Sequence, residues 1–349
     1  MTDSEQWRVP LSVLDLAPVA AGSTSAQALR NSLDLAMQVE RLGYRRYWVA
    51  EHHNMPGIAS SAPAVLIGHI ASVTTTLRVG SGGVMLPNHA PLVVAEQFGM
   101  LEAFHPGRID LGIGRAPGTD QLTAAALRGT PYISADTFPR DLGQLLAYFE
   151  EGQTEDPLSQ RITAVPAKGN VPAFWLLGSS DYGAQVAGYL GLPFAFAHHF
   201  SPDNTLPALD AYRASFRPSS TLEAPYAMVA VAVVCADSDD RAATLALPSA
   251  LSFLRLRSGR PGLLPTPEDA AQYPYNPTER AFIEQRQQHQ VIGSPSTVLR
   301  GLSSLLEQTQ ADELMLTTVV HDHADRLRSY ELVARQVAPA LTPLVQAAE

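Results

Sequence analysis

The apolar residues of this chain fall into two rhythms that take turns along it. In the stretch 77–120, the runs 77–86 and 108–114 are short and apolar between glycines, as strands buried on both faces are. Between them, Val93, Val94, Phe98, Leu101 and Phe104 recur at helical spacing. Pro91 opens that helix and His105-Pro106-Gly107 stops it. The unit is strand, helix, strand, so its strands should be parallel and its crossover right-handed.

The same alternation runs through the rest of the chain. Residues 11–16 read as a first strand, and Ser25 as the N-cap of a helix carrying Leu29, Leu33, Ala36 and Met37 until Gly43 closes it. Residues 44–50 are aromatic and β-branched, hence a second strand, and a helix behind Pro63 carries Leu66, Ile70 and Val73. Further strands are expected at 172–177, 193–197, 226–235 and 313–320, and further helices at 134–151, 184–190, 296–306 and 324–337. Residues 152–169 read as a surface excursion. Eight strands with parallel connections predict an α/β fold, a closed (β/α)8 TIM-type barrel, as one domain over 1–349. Residues 255–290, rich in Pro, Arg and Gln, interrupt the pattern and are expected to form an inserted lid with short helices.

Composition narrows the function. With 349 residues, 46% of them hydrophobic and 17% charged, the chain can bury a large core. A formal net charge of -10 and the lack of a Lys/Arg cluster argue against a nucleic-acid partner. The single cysteine, Cys235, lies in an apolar run and reads as a buried thiol. No signal peptide or membrane-spanning stretch is legible, so a cytoplasmic protein without a membrane partner is expected.

In such a barrel the residues just after each strand share one rim, where active sites are built. These are Asp15, then Glu51, His52 and His53, then His89, Arg115, Ser179 to Tyr182, His198 and His199, and His321 and His323, so most of the ten histidines gather there. Side chains alternate along a strand. If Val49 faces outward under the helices, Glu51 and His53 share its side and His52 points to the barrel axis. His321 and His323 should share a face that would also suit a metal, but a metal site would need further Asp, Glu or Cys to converge there, and no metal is expected. Arg115, following Gly-Ile-Gly, is placed for a planar grip on a phosphate, and the turn 178–183 before a helix start is a second anion site. Gly82 and Gly83 stand where a buried strand prefers Val or Ile, which marks a close backbone approach. The Gly-Ile-Gly run lacks the rest of a dinucleotide fingerprint.

Four of these segments together, W-V-A-E-H-H at 48–53, V-G-S-G-G-V-M-L-P at 79–87, A-E-Q at 95–97 and G-R-I-D-L-G-I-G-R at 107–115, resemble the bacterial luciferase-like flavin-dependent monooxygenases, in their single-chain branch. Residues 176–200 are similar to the phosphate loop of that family. The resemblance implies a (β/α)8 barrel with a late insertion, FMN at the C-terminal rim, and a homodimer packed through the early helices. It implies reduced FMN from a separate flavin reductase, O2, and a small organic substrate. Two alternatives accompany it: hydride transfer with a deazaflavin, and a non-catalytic flavin-binding accessory subunit. Carried over by residue, His52 serves proton transfer near the reactive edge of the flavin. The Gly82-Gly83 bulge, with a non-proline cis peptide, supports the isoalloxazine. Arg115 reaches the phosphate, and the backbone at Ser179, Ser180, Tyr182 and Gly183 closes around it. Val84, Met85 and Leu86 would wall the ring, and 255–290 would be the lid. The resemblance assigns no role to Asp15, His89 or His198.

Overall fold

The structure is a computed structural model, and it describes residues 7–116, 118–128, 137–150, 158 and 160–342. Its strands, all paired in parallel, follow one another around a ring: β1 (Leu11–Asp15), β2 (Arg46–Val49), β3 (Arg78–Ser81) continued upward by β4 (Val84–Met85), β5 (Ile109–Gly114), β6 (Ala173–Gly178), β7 (Phe194–Phe196) and β8 (Ala227–Cys235). A short β9 (Val291–Gly293) pairs with the upper end of β8 outside the ring, and β10 (Glu313–Thr317) joins β8 to β1. With β3 and β4 sharing one position, the ring has eight, as the eight apolar runs predict. The fold is the closed (β/α)8 barrel.

Alternation along the strands builds two core layers. Val13, Tyr47, Val49, Val79, Ile109 and Leu111 face outward and are buried under the helices. Leu14, Trp48, Trp175, Met228 and Met315 fill the barrel interior. Trp48 and Trp175 meet edge to face at 5.2 Å, a geometry worth about 0.5–1.5 kcal/mol beyond area burial. The bottom of the interior is charged and closed. Arg46 bonds Asp110 at 2.8 Å and Glu313 at 3.0 Å, Arg78 and the Trp48 indole bond Asp110 at 2.6 and 2.9 Å, and the Tyr226 hydroxyl donates to Glu313 at 2.9 Å.

The helices follow the periodic segments: α1 (Ser25–Arg41), α2 (Pro63–Val73), α3 (Pro91–Phe104), α4 (Gln121–Arg128), α5 (Phe138–Ala147), α6 (Asp181–Leu190), α7 (Thr205–Ser215), α8 (Asp239–Arg257), α9 (Pro267–Gln272), α10 (Pro277–Gln287), α11 (Pro295–Thr309) and α12 (His323–Leu332). Pro91 heads α3 as expected, and Gly43, at φ 91°, turns the chain after α1. The cap of α1 is Thr24, one residue before Ser25, because its hydroxyl accepts the Gln27 N–H. The helix expected over 134–151 spans only 138–147, and its first residues, like most of 152–159, lie outside the described ones. The inserted segment carries short helices, as expected: the 19-residue α8 runs into it, and α9 and α10 follow, each headed by a side-chain N-cap and a proline. It is also tied down, since Leu264 exchanges backbone hydrogen bonds with Val19 and Ala21 above β1. No helix among the described residues is long and apolar enough to cross a membrane.

Candidate active site

At the top of β2, Val49 lies in the outer core layer and Trp48 in the inner one, and just beyond them Glu51 and His53 are joined by a hydrogen bond at 2.9 Å. Glu51 is fully buried and is the hub of the corner. Its carboxylate accepts from His89 at 2.8 Å, His53 at 2.9 Å and the Met85 N–H at 3.0 Å. Burial alone would raise its pKa, yet these donors outweigh burial and hold it below the ordinary value. His53 and His89 therefore brace the loops after β2 and β4. His52 is different. Its backbone N–H is pinned to Ser60 O at 3.0 Å, while its side-chain Nδ1 is buried with no hydrogen-bond partner. Burial depresses its pKa against the pull of Glu51, so the ring is neutral at pH 7 and can take or give one proton.

Gly82 and Gly83 sit beside this corner, where the Gly82 N–H donates to Val49 O at 2.8 Å, and the peptide between them is cis, as the resemblance implies. What excludes side chains there is the barrel itself. A Cβ on Gly82 would come within 2.7 Å of Leu14 Cδ1, and one on Gly83 within 2.8 Å of Gly112 O. Val84 and Leu86 do not wall the rim as expected: both belong to the outer core layer under the helices, and only Met85 stays partly open.

The two halves of the expected anion grip do meet. Arg115 leaves the top of β5 and lays its guanidinium 4.4 Å from the centroid of the Tyr182 ring, and among the described residues no carboxylate or carbonyl pairs with it. The segment 178–183 is not all turn. α6 already begins at Asp181, so Tyr182 and Gly183 lie in its first turn, with Ser180 as an N-cap whose side chain makes no capping bond. The first N–H groups of α6 thus open beside a guanidinium whose edges are free.

The remaining rim histidines disperse. His198 pairs with Thr205 Oγ1 at 2.8 Å, and His199 Nδ1 faces Ala230 O at 3.1 Å, with burial pushing its pKa down to about 4. His321 and His323 do not share a face: the first reaches Pro265 O at 3.0 Å in the insertion, the second Asp34 at 2.9 Å on α1. Among the described residues no three His, Cys, Asp or Glu converge as metal ligands would. Asp15 also turns away from the rim. It is buried under the helices, where it accepts from Tyr47, Arg326 and the Ala17 N–H.

The family model for luciferase-like monooxygenases matches residues 9–313. The chain belongs to that family. A luciferase-like monooxygenase of Escherichia coli is 49% identical over 332 residues, covering 95% of this chain and 97% of the relative. The crystal structure of apo-MsnO8 superposes with a TM-score of 0.87 at 42% identity, covering 96% and 99%. More distant members share the fold alone and differ in cofactor. The oxygenating constituent of 3,6-diketocamphane monooxygenase, in complex with FMN, has a TM-score of 0.71 at 21% identity. A coenzyme F420 dependent tetrahydromethanopterin reductase has 0.68 at 16%.

Within this luciferase-like barrel, three features of the rim escaped the sequence reading. Glu51 was placed at the rim, but its role as a hub was not legible, since its partners other than His53 arrive from β4 and the loop before α3. The other two are Thr317, whose buried Oγ1 has no partner at the top of β10, and Arg286 of α10, which reaches in from the insertion. Nothing in the run 277–287 distinguishes that arginine from its exposed neighbours.

Proposed function

We propose that this protein is a cytoplasmic FMN-dependent monooxygenase that takes reduced FMN from a separate reductase and inserts one atom of O2 into an organic substrate, the other leaving as water. The arrangement that carries this reading is Arg115 stacked on Tyr182 beside the uncapped first turn of α6. It fits a phosphate: unpaired N–H donors from a helix N-terminus and a free, always charged guanidinium stand together at the rim. Arg115, with the backbone at Ser179, Ser180, Tyr182 and Gly183, would hold that phosphate, and the Gly82-Gly83 backbone would lie along the ring. Reduced FMN supplies the electron pair that activates O2. The chain's own part is to bind, exclude water and manage a proton. His52, neutral and unpartnered at Nδ1, is the group that accepts or donates it, and Glu51 with His53 and His89 holds the strand end that presents it. A homodimer fits the same reading, because α2 and α3 leave Val65, Val93, Met100 and Phe104 exposed, Phe104 by 74%.

The test is a titration of the purified protein with FMN, riboflavin and a deazaflavin, followed by turnover of reduced FMN under 18O2 with product analysis by mass spectrometry. FMN should bind more tightly than riboflavin, and one labelled atom should enter the product. Exclusive binding of the deazaflavin, or bound FMN without any labelled product across a broad substrate panel, would overturn the reading.

A further inference from the structure

Between the top of the barrel and the insertion lie two adjoining chambers, of about 80 and 160 Å3, which share Leu16, Val319, Ser249 and Arg286 as walls. The smaller one is also lined by His199 and Thr317, and the larger by Ser252 and Phe253. Most of the wall is apolar, as expected of a chamber for a small organic molecule. Its polar atoms are not at rest. Arg286 Nε and Nη1, Ser252 Oγ and Thr317 Oγ1 are all buried without a hydrogen-bond partner. Native interiors leave few such groups, and four such atoms from three residues around one space mark a missing partner.

The chemistry of that partner follows from the donors. Arg286 has only N–H groups to offer, and the two hydroxyls can donate as well. The guanidinium lies 4.0 Å from the centroid of the Phe253 ring, so the aromatic face attracts the charge while the N–H edges stay open. Phe253 is itself fixed by stacking on Phe282 at 5.9 Å, which makes Phe253 a fixed platform for the arginine. No carboxylate forms a salt bridge with Arg286 among the described residues, and burial with nothing to offset it pushes its pKa down to about 10, leaving it charged at pH 7. His199, the nearest titratable neighbour in the smaller chamber, is held neutral at pH 7 and contributes no negative charge. The chamber therefore presents one uncompensated positive charge inside an apolar wall.

We propose that Arg286 anchors an anionic group of the substrate, a carboxylate or its equivalent, with Ser252 or Thr317 as a second donor and the apolar body of the molecule lying along Leu16 and Val319. This deepens the monooxygenase reading and rests on it only in calling the ligand a substrate. The chamber adjoins His199, whose ring lies within electrostatic reach of both Arg286 and His52, so an acid anchored here extends toward the side of the rim where the unpartnered imidazole stands. The anion site is distinct from the phosphate grip at Arg115, which uses β5 and α6.

The experiment compares hexanoate with hexanamide, which have the same chain and nearly the same shape, by isothermal titration of the full-length protein, and measures FMN affinity on the same samples. Hexanoate should bind the wild type about 10- to 100-fold more tightly than the amide, the range for a hydrogen bond to a charged group. Arg286→Gln should remove that preference while FMN affinity stays within about twofold, and Arg286→Lys, which keeps the charge, should retain part of it. Equal binding of acid and amide by the wild type, binding of neither, or a preference that survives Arg286→Gln would overturn the proposal. The two readings separate cleanly. An acid preference in a protein that binds no FMN leaves the anion site standing and removes the flavin; FMN binding without an acid preference does the reverse.

Discussion

The two ends of the barrel treat polar atoms in opposite ways. At the bottom, Arg46, Arg78, Asp110, Glu313 and Tyr226 form one network around buried carboxylates, in which every charge meets its opposite at hydrogen-bond distance. At the top, His52 Nδ1, Thr317 Oγ1, Ser252 Oγ and two nitrogens of Arg286 are buried without partners, and Arg115 has only an aromatic ring beneath it. Leaving a buried donor or acceptor unsatisfied costs about 1–3 kcal/mol each, so the top is less stable than the same fold would allow. The difference teaches which end serves the fold and which is kept ready for ligands. In a (β/α)8 barrel the C-terminal end is the one where loops are free to vary around a rigid ring. Glu51 sharpens the contrast, since it is a satisfied network placed at the unsatisfied end, one residue from His52.

The contrast is broken hardest at His52. His52→Ala should lower turnover by ~10²–10⁴-fold, the contribution of a positioned acid or base, with little change in FMN affinity or in the urea midpoint. His53→Ala should do the opposite, because it removes a donor from the buried Glu51. Steady-state kinetics and urea melts on both variants decide it, and an exchange of the two phenotypes would reverse the roles given to the pair.

Next in size is the bottom network. Glu313→Ala leaves Arg46 facing a single carboxylate and strips the Tyr226 hydroxyl of its acceptor, and stability should fall by about 3–5 kcal/mol. A loss below about 1 kcal/mol in chemical denaturation would mean that the closed end is not what holds the ring. Arg115→Ala, at the open end, should weaken FMN by about 1.5–3 kcal/mol while riboflavin binding and the urea midpoint stay put. Equal losses for both flavins would remove Arg115 from the phosphate.

The last effect is a slope, absent at neutral pH. His199 has its folded pKa pushed down to about 4 from 6.5, so between those values the unfolded chain holds a proton that the native state refuses. Stability from this group is complete above pH 6.5 and is lost as the pH falls toward 4. Denaturation midpoints measured across that window should decline for the wild type and decline less for His199→Gln. An identical slope in both would show that the imidazole is free to charge where it stands.

Much of this was legible in the residues. Each of the eight barrel strands coincides with an apolar run, because a parallel strand buried on both faces must be apolar throughout. Pro91 and Gly43 mark helix ends through backbone constraints that act locally. Where the reading failed, a local signal was weak or competed with another. α8 carries Pro248 in its interior, and its mixed face hides the Ser238 cap followed by Asp239 and Asp240. α6 begins in a stretch whose serines and glycines look like a turn, although Ser180 before Asp181 is also how a helix starts. The inward direction expected of His52 rests on parity extended three residues beyond Val49, the last residue of β2.

The chain by itself, then, determined the element order and the ring of eight, since these depend on periodicity and on constraints within a few residues. Only the tertiary structure decided what each polar group meets. Glu51 gathers donors from positions 34 and 38 residues downstream, and Arg326 reaches Asp15 across 311 residues of chain. Arg286 is one of several arginines in a polar segment until α10 folds over the barrel mouth and burial removes its water. Pairing and desolvation are properties of the space around an atom, and that space is made of residues remote in sequence.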